Sequence, residues 1–386
     1  MTSGGFGGSS GSPSPKILLA KPPGLVSDEV AAAQRPPRLP PAGSLNLLSS
    51  DTWDFHVDRF LPFLTENTDF TVVGVIGPTG AGKSTIMNHL YGHGHGMLPP
   101  FGVHSEDSRS TAKHCSNGIE PRVSSERLIL LDSQPVFSPS VLAEIMRPDG
   151  SSTVPVLANE SISAELAHEI MSIQLGVLLS SICHILLIVS EGVHDEAMWR
   201  LMLTVDLLKH GIPDPSSLFP AHFQTVSAAL EKESKEKHLA REEYMAAPIF
   251  VHTKLHNQEI NPQNILPLKK ALLQNFRHSS FISRKIEESS LSLCQENPDR
   301  GVAFPNLFLI PSKASDESSS YLYESYLTMS SKLRDQVLST STPSFARTLS
   351  ERDWLKNSAK IWEMVRNSSI IAEYGKTMQN SGIFRR

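Results

Sequence analysis

Short apolar runs alternate along this chain with longer segments of helical period, a pattern that predicts an α/β fold built on a mainly parallel sheet flanked by helices. Two observations carry that expectation. The run Phe70–Gly77 is continuous, rich in β-branched residues and closed by glycine, which suits a strand buried on both faces better than a helix. Similar runs recur at Arg127–Asp132, Cys183–Ser190, Pro248–Lys254 and Asn306–Pro311, and the spans between them are long enough for the crossovers that parallel neighbours require.

The elements follow in chain order. From Met1 to about Leu45, Gly, Ser and Pro make up about half of the residues, too little apolar surface to offset chain entropy, so 1–45 reads as a disordered Gly/Ser/Pro-rich tail. It has neither the basic start nor the apolar stretch of a secretory signal. Behind Ser50 and Asp51, apolar residues from Trp53 to Leu64 predict a lead-in helix. Further helices are predicted over Ser138–Met146, Ser161–Ser181, Glu196–His210, Ala221–Met245 and Ile265–Ser290. After the last strand, Leu322, Tyr326, Met329, Leu333 and Val337 share one helical face that should pack on the sheet. Pro343 breaks that pattern, and a final helix starts near Ser350 with Trp354 and Trp362 on nearly the same face, either core residues or anchors for a partner. The expected organisation is a tail over 1–45, an α/β domain over 46–315, and helices over 316–386 that pack on the domain or on a partner.

Composition removes several function classes. The 386 residues carry 35 Lys+Arg against 40 Asp+Glu, a net charge of −5, which argues against direct nucleic-acid binding. Cys115, Cys183 and Cys294 form no CxxC pair, so the chain fits a reducing, cytoplasmic compartment and offers no thiolate zinc site. The longest apolar stretch, Gly176–Val189, is interrupted by Ser180, Ser181 and His184 and is too short to span a bilayer, so no membrane partner is expected.

One motif carries chemistry. Gly77-Pro78-Thr79-Gly80-Ala81-Gly82-Lys83-Ser84 fits G-x-x-x-x-G-K-[ST], directly after an apolar strand and before a helical run that opens at Thr85. The glycines let the backbone curl so that N–H groups point at phosphate oxygens, and the following helix adds its positive end. Lys83 supplies a cation to the outer phosphates and the Ser84 hydroxyl a ligand for Mg²⁺. This sharpens the expected fold to a P-loop NTPase domain that takes a purine nucleotide with Mg²⁺. Asp132, at the end of a neighbouring strand, is the expected carboxylate on the magnesium side, and Thr111 a weaker candidate for a second hydroxyl ligand.

Elsewhere the sequence departs from a working GTPase. Small GTPases follow that carboxylate with a D-x-x-G turn whose glycine N–H senses the terminal phosphate; here the run is Asp132-Ser133-Gln134-Pro135, and proline has no N–H to give. Gln134 lies within the turn and is a minor candidate for positioning water. The expected N-K-x-D is Thr253-Lys254-Leu255-His256, which keeps the lysine that packs under the base but lacks the carboxylate that reads guanine. Ser312 and Lys313, after the last strand, resemble the loop that also touches the base. GDP/GTP and ADP/ATP therefore both stay open. His89, His93 and His95 read as a flexible turn and not a metal site, and Glu231 to Lys237 as a solvated helix face.

The stretches TDFTVVGVIGPTGAGKS, LLDSQPVFSPSVL, SIQLGVLLSSICHILLIVSEG and SERDWLKNSAKIWEMV, within about Trp53 to Tyr374, together resemble a family of nonsense-mediated mRNA decay factors. Its members are the smaller, P-loop-containing regulatory subunits of the SMG phosphatidylinositol-3-kinase-like kinase complex. The resemblance implies a G-domain-like fold that forms a heterodimer with a related domain in the larger regulatory subunit. It also implies a complex with the kinase that controls phosphorylation of the pathway's RNA helicase. Carried over, the nucleotide site falls on Gly77 to Thr85 and the magnesium side on Ser84 and Asp132. Residues 213–245 and 258–297 match nothing in the family and read as insertions. The resulting expectation is a regulatory and scaffold subunit that keeps its nucleotide largely as a structural ligand. The alternative is an active GTPase or ATPase switch whose site Gln134 or a partner residue completes. A small-metabolite kinase is disfavoured, since no Arg-rich lid segment is present.

Overall fold

The computed structural model describes residues 1, 5, 45–93, 98–103, 114–157, 162–218, 244–256, 259–281, 306–313, 325–339 and 344–382. Residues 1–39 and 40–386 are separate units, and the architecture below belongs to the second. Six strands form one sheet: β1 (Thr71–Ile76), β2 (Ile119–Val123), β3 (Leu128–Ser133), β4 (Ile185–Glu191), β5 (Ala247–Leu255) and β6 (Asn306–Pro311), in the order β2-β3-β1-β4-β5-β6. All neighbours are parallel except β2 and β3. The apolar runs read from the sequence are the parallel strands. β2 had no such signal, because Ile119, Pro121 and Val123 alternate with Glu120 and Arg122; the proline is tolerated at a sheet edge, and the two charges satisfy each other as a buried ion pair.

The helices are α1 (Val57–Phe60), α2 (Lys83–Tyr91), α3 (Pro139–Ile145), α4 (Ala164–Ile182), α5 (Glu196–Leu208), α6 (Pro262–Asn275), α7 (Tyr326–Ser339), α8 (Glu351–Arg366) and α9 (Ser369–Asn380). One face of the sheet, with Val73, Val75, Leu187 and Val251, packs against Ile86 and Leu90 of α2 and Leu333 and Val337 of α7. The other face, with Val72, Ile76, Leu186 and Phe250, receives α4, α5, α6, α8 and Ile371 of α9 in a larger apolar layer. The period-2 alternation of each strand thus feeds two cores.

Several expectations change in detail. The lead-in helix shrinks to α1 and a 3₁₀ turn at Leu61–Phe63, because Trp53 takes a left-handed φ of 57° and Pro62 lacks the N–H that would continue an α-helix. The helix expected from Ile265 begins earlier, capped by the Asn261 side chain, and ends at Asn275. The region expected as helix over Ala221–Met245 lies mostly outside the described residues, as do Leu322, Pro343 and His95. The last helix is followed by α9, which restarts after Asn367 with Ser368 accepting from the Ile371 N–H.

Trp354 and Trp362 are core residues: both are fully buried, which removes the reading of them as partner anchors. Trp354 donates to the Ile182 carbonyl at 2.8 Å, and Trp362 packs edge-to-face on Trp53 with ring centroids 5.5 Å apart. Trp53 in turn donates to Gln174 Oε1 of α4 at 2.7 Å. A second fastening lies at the start of α8, where the buried Glu351 carboxylate accepts from the Thr65 amide at 2.7 Å and pairs with Arg127. Segments about 300 residues apart in sequence are therefore joined through satisfied polar contacts in an apolar layer. Among the described residues, no helix is long and apolar enough to cross a membrane.

Candidate functional site

The parallel strands β1, β3, β4 and β5 end on the same side of the sheet, and the loop between β1 and α2 opens there. Gly77 must be glycine: a Cβ at that position would lie 2.2 Å from the Val189 carbonyl oxygen of β4. Gly80 and Gly82 follow with left-handed φ of 77° and 91°, so the chain curls and enters α2 from a glycine N-cap. Thr79 and Gly80 are exposed at the outside of the curl, Ala81 is buried, and Thr85 sits in the first turn of α2. The amides of that first turn have no acceptor within the helix. Thr253, at the end of β5, donates its hydroxyl to the Ala81 carbonyl at 2.8 Å and so ties the loop to a strand two places away.

Lys83 is buried and its ammonium folds back onto the carbonyls of Gly77 and Pro78, each at 3.0 Å. Burial lowers its pKa to about 8, against the opposing pull of the Asp132 charge. Asp132 is fully buried at the end of β3, and burial raises its pKa, opposed by Lys83 and by the hydroxyls of Ser84 and Ser116. Both hydroxyls donate to Asp132 Oδ2 at 2.7 Å and lie 3.2 Å from each other. Asp132 Oδ1 is buried without a hydrogen-bond partner among the described residues. Two hydroxyls and a carboxylate with an unused oxygen are the hard donors that Mg²⁺ prefers, and this set is able to hold one. The cluster stands beside a helix N-terminus and a buried ammonium, a combination suited to phosphate.

Ser116 is a residue that sequence reasoning missed. Thr111, expected in its role, lies outside the described residues, while Ser116 reaches Asp132 because β2 begins three residues later and runs antiparallel beside β3. The hydroxyl in a short Cys115-Ser116-Asn117-Gly118 segment could have been found only by knowing that pairing.

The turn after Asp132 is fastened at every step. Ser133 Oγ donates to the Val75 carbonyl at 2.6 Å. Gln134 is buried, its Oε1 accepting from the Gly118 amide at 3.0 Å while its own amide donates to the Gly118 carbonyl at 2.7 Å. These bonds tie Gln134, a candidate for positioning water, to the Gly118 backbone. Past Pro135, the Val136 N–H donates to the Gly77 carbonyl at 3.1 Å, and Pro78 and Val136 form a parallel bridge.

On the far side of the loop, Lys254 takes a left-handed φ of 57° and its Nζ pairs with Glu191 Oε2 at 2.6 Å. His256, which stands where the N-K-x-D motif has its carboxylate, donates its amide to Glu259 Oε2 at 2.7 Å, and the carboxylate beside Lys254 is Glu191, from another strand. Register supplies it, since Glu191 and Thr253 are partners in the β4–β5 ladder. Ser312 donates its amide to the Leu255 carbonyl at 2.9 Å, and Lys313 stands over the Tyr326 ring at 4.9 Å. The structure therefore brings Ser312 to the end of β5 and turns Lys313 toward α7.

No family model matches the chain. Among solved structures, a crystal structure of a Thermus thermophilus protein aligns with 56% of this chain and 23% of that one, at 14% identity and a TM-score of 0.24, too low for any argument. Among curated proteins, the chain is 27% identical over 349 residues to the nonsense-mediated mRNA decay factor SMG9 of Xenopus laevis, covering 83% of this chain and 64% of that protein. The SMG9 of Salmo salar is 28% identical with the same coverage. That of Caenorhabditis briggsae is 26% identical over 155 residues, 39% of this chain and 38% of that one. This chain spans 64% of the length of the vertebrate relatives it matches. Over most of its length the chain is thus similar to curated nonsense-mediated mRNA decay factors named SMG9, the family its motifs resemble.

Proposed function

We propose that this chain is a regulatory and scaffold subunit in nonsense-mediated mRNA decay, cytoplasmic, that binds a purine nucleotide with Mg²⁺ as a largely structural ligand in a G-domain-like P-loop domain over 46–315. Its role in decay is supported by the similarity to SMG9. By the same resemblance its partners are a larger regulatory subunit with a related domain, in a heterodimer, and a phosphatidylinositol-3-kinase-like kinase, with control exerted on phosphorylation of the pathway's RNA helicase. Gly77, Thr79, Gly80, Ala81, Gly82, Lys83, Ser84 and Thr85 bind phosphates; Ser84, Asp132 and Ser116 face the cation; Lys254 and Ser312 serve the base, while Lys313, expected with them, is turned onto the Tyr326 ring. Mg²⁺, when bound, neutralises phosphate charge. The residues of this chain orient the phosphates, shield them from water at Lys83 and hold the Asp132 carboxylate by two hydroxyls.

The observation that carries the structural-ligand reading is the turn after Asp132. A nucleotide switch needs a turn that can reach the terminal phosphate and let go of it, whereas here Val136 N–H is engaged by Gly77 and Gln134 by Gly118. A ligand that binds the folded state stabilises it by mass action without any turnover. The test is to extract and identify the nucleotide from the purified protein and to assay hydrolysis. A stoichiometric purine nucleotide with negligible turnover is expected; turnover of about 1 per second or faster, abolished by Lys83→Ala, overturns the reading in favour of an active GTPase or ATPase switch.

A further inference from the structure

The segment that delivers Ser116 to Asp132 is held at two points, and both holds come from the chain that follows Asp132. At one end, Gly118 exchanges hydrogen bonds with Gln134, as described above. At the other end stands His114, whose side chain is only 2% exposed. Its Nδ1 lies 2.8 Å from Ser140 Oγ, its Nε2 lies 3.5 Å from Glu144 Oε2, and Ser140 Oγ is 2.9 Å from Ser138 Oγ. Ser138 is the N-cap residue of α3, and Ser140 and Glu144 are four apart on that helix, on one face.

The contact at Nε2 is an ion-pair approach and not a hydrogen bond, so α3 fastens the ring through the hydrogen bond that Nδ1 shares with Ser140 Oγ. Ser138 Oγ shares a further hydrogen bond with Ser140 Oγ and steadies that hydroxyl. Ser116 lies two residues past the ring, between the two holds.

We propose that His114 is a positioning residue that fastens the 114–118 segment to α3 and so keeps the Ser116 hydroxyl on the cation side of the site. The consequence is specific. His114 sets the part of nucleotide affinity that depends on Mg²⁺ and leaves the phosphate contacts of the glycine loop untouched. This rests on the nucleotide reading above, so the test has one arm that needs no nucleotide.

Cys115, exposed and lying between His114 and Ser116, is the probe for that arm. Its alkylation by iodoacetamide, read by mass spectrometry on the Cys115 peptide, follows how firmly the segment is held. In the full chain without nucleotide, His114→Ala should raise the rate about tenfold, the equilibrium equivalent of one lost neutral hydrogen bond. His114→Asn, whose amide can keep a hydrogen bond with Ser140 Oγ, should return it most of the way, and Glu144→Gln, which removes only a half-exposed ion-pair contact, should raise it less. In the second arm, ADP and GDP affinities are measured with Mg²⁺ and with EDTA. His114→Ala should remove about fivefold to tenfold of the Mg²⁺-dependent gain and leave the EDTA values unchanged. An unchanged Cys115 rate in His114→Ala, or an equal loss of affinity with and without Mg²⁺, overturns the proposal. A wild-type chain that binds neither nucleotide overturns the site reading instead, while the Cys115 rate still decides whether His114 holds the segment.

Discussion

The loop after β1 and the turn after β3 leave neighbouring parallel strands at the same end of the sheet, yet their polar groups are used in opposite ways. In the loop, glycines at left-handed φ and the first turn of α2 present amides with no helical acceptor, beside a buried ammonium at Lys83. In the turn, Ser133, Gln134 and Val136 all close onto neighbouring backbone or side chains, and Pro135 contributes no donor. One region leaves donors open, and on our proposal these receive a phosphate; the other is built into the framework of the sheet. Binding and responding are therefore separable properties of such a site, because they reside in different backbone segments whose hydrogen bonds are satisfied independently.

The comparison breaks most visibly at Lys83. Lys83→Ala is expected to weaken nucleotide binding about 100-fold, roughly 3 kcal/mol, with little change in the turn; retained affinity in equilibrium titration would mean that the loop is not a phosphate site. A pH experiment sharpens the baseline against which both regions are judged. His184, at the opposite end of the sheet, accepts from the Val72 amide at 2.9 Å through Nδ1, and burial lowers its pKa to about 4. A histidine held neutral stabilises the fold above its unfolded pKa, near 6.5, and that stability is lost as pH falls toward about 4, because only the unfolded chain takes up the proton readily. The loss should approach ~3 kcal/mol by pH 4, and His184→Asn should flatten the slope between pH 6.5 and 4 in urea titrations; an unchanged slope would assign it to other groups.

Smaller effects separate the two regions further. Gln134→Ala should cost about 1–2 kcal/mol in denaturant unfolding, since the buried Gly118 amide loses its acceptor Oε1, and should leave any residual hydrolysis rate as it was. A selective fall in hydrolysis without loss of stability would return Gln134 to a catalytic role. Ser116→Ala should weaken Mg²⁺-dependent binding about fivefold, ~1 kcal/mol, with no effect in EDTA; equal affinity in both conditions would remove Ser116 from the cation side.

How far the site could be read from the sequence follows from how local each feature is. Gly77 to Ser84 is contiguous, so its pattern carries the strand, the curl and the helix start together. Asp132 was legible because an apolar run ends on it. Ser116 and Glu191 were not, since each is brought in by strand pairing: Ser116 by the antiparallel edge strand β2, Glu191 by its register with Thr253. β2 itself was hidden because its alternate positions are Glu120 and Arg122, charges that look solvated until each is seen to satisfy the other. Trp53 and Trp362 were both visible as large apolar residues, but their edge-to-face contact spans 309 positions, and no periodicity reports a contact at that distance. The turn after Asp132 shows the reverse case: Pro135 announced the missing donor, while the capture of Val136 by Gly77 required the fold.

The most direct test of a site that binds without switching is hydrogen exchange across residues 133–138 in the diphosphate and triphosphate states of whichever nucleotide the purified protein retains. The bonds of Gln134 and Val136 are made within the chain, so the two states should exchange alike, with slow exchange at Val136 in both. Protection of that turn in the triphosphate state alone would contradict the account and show that it senses the terminal phosphate.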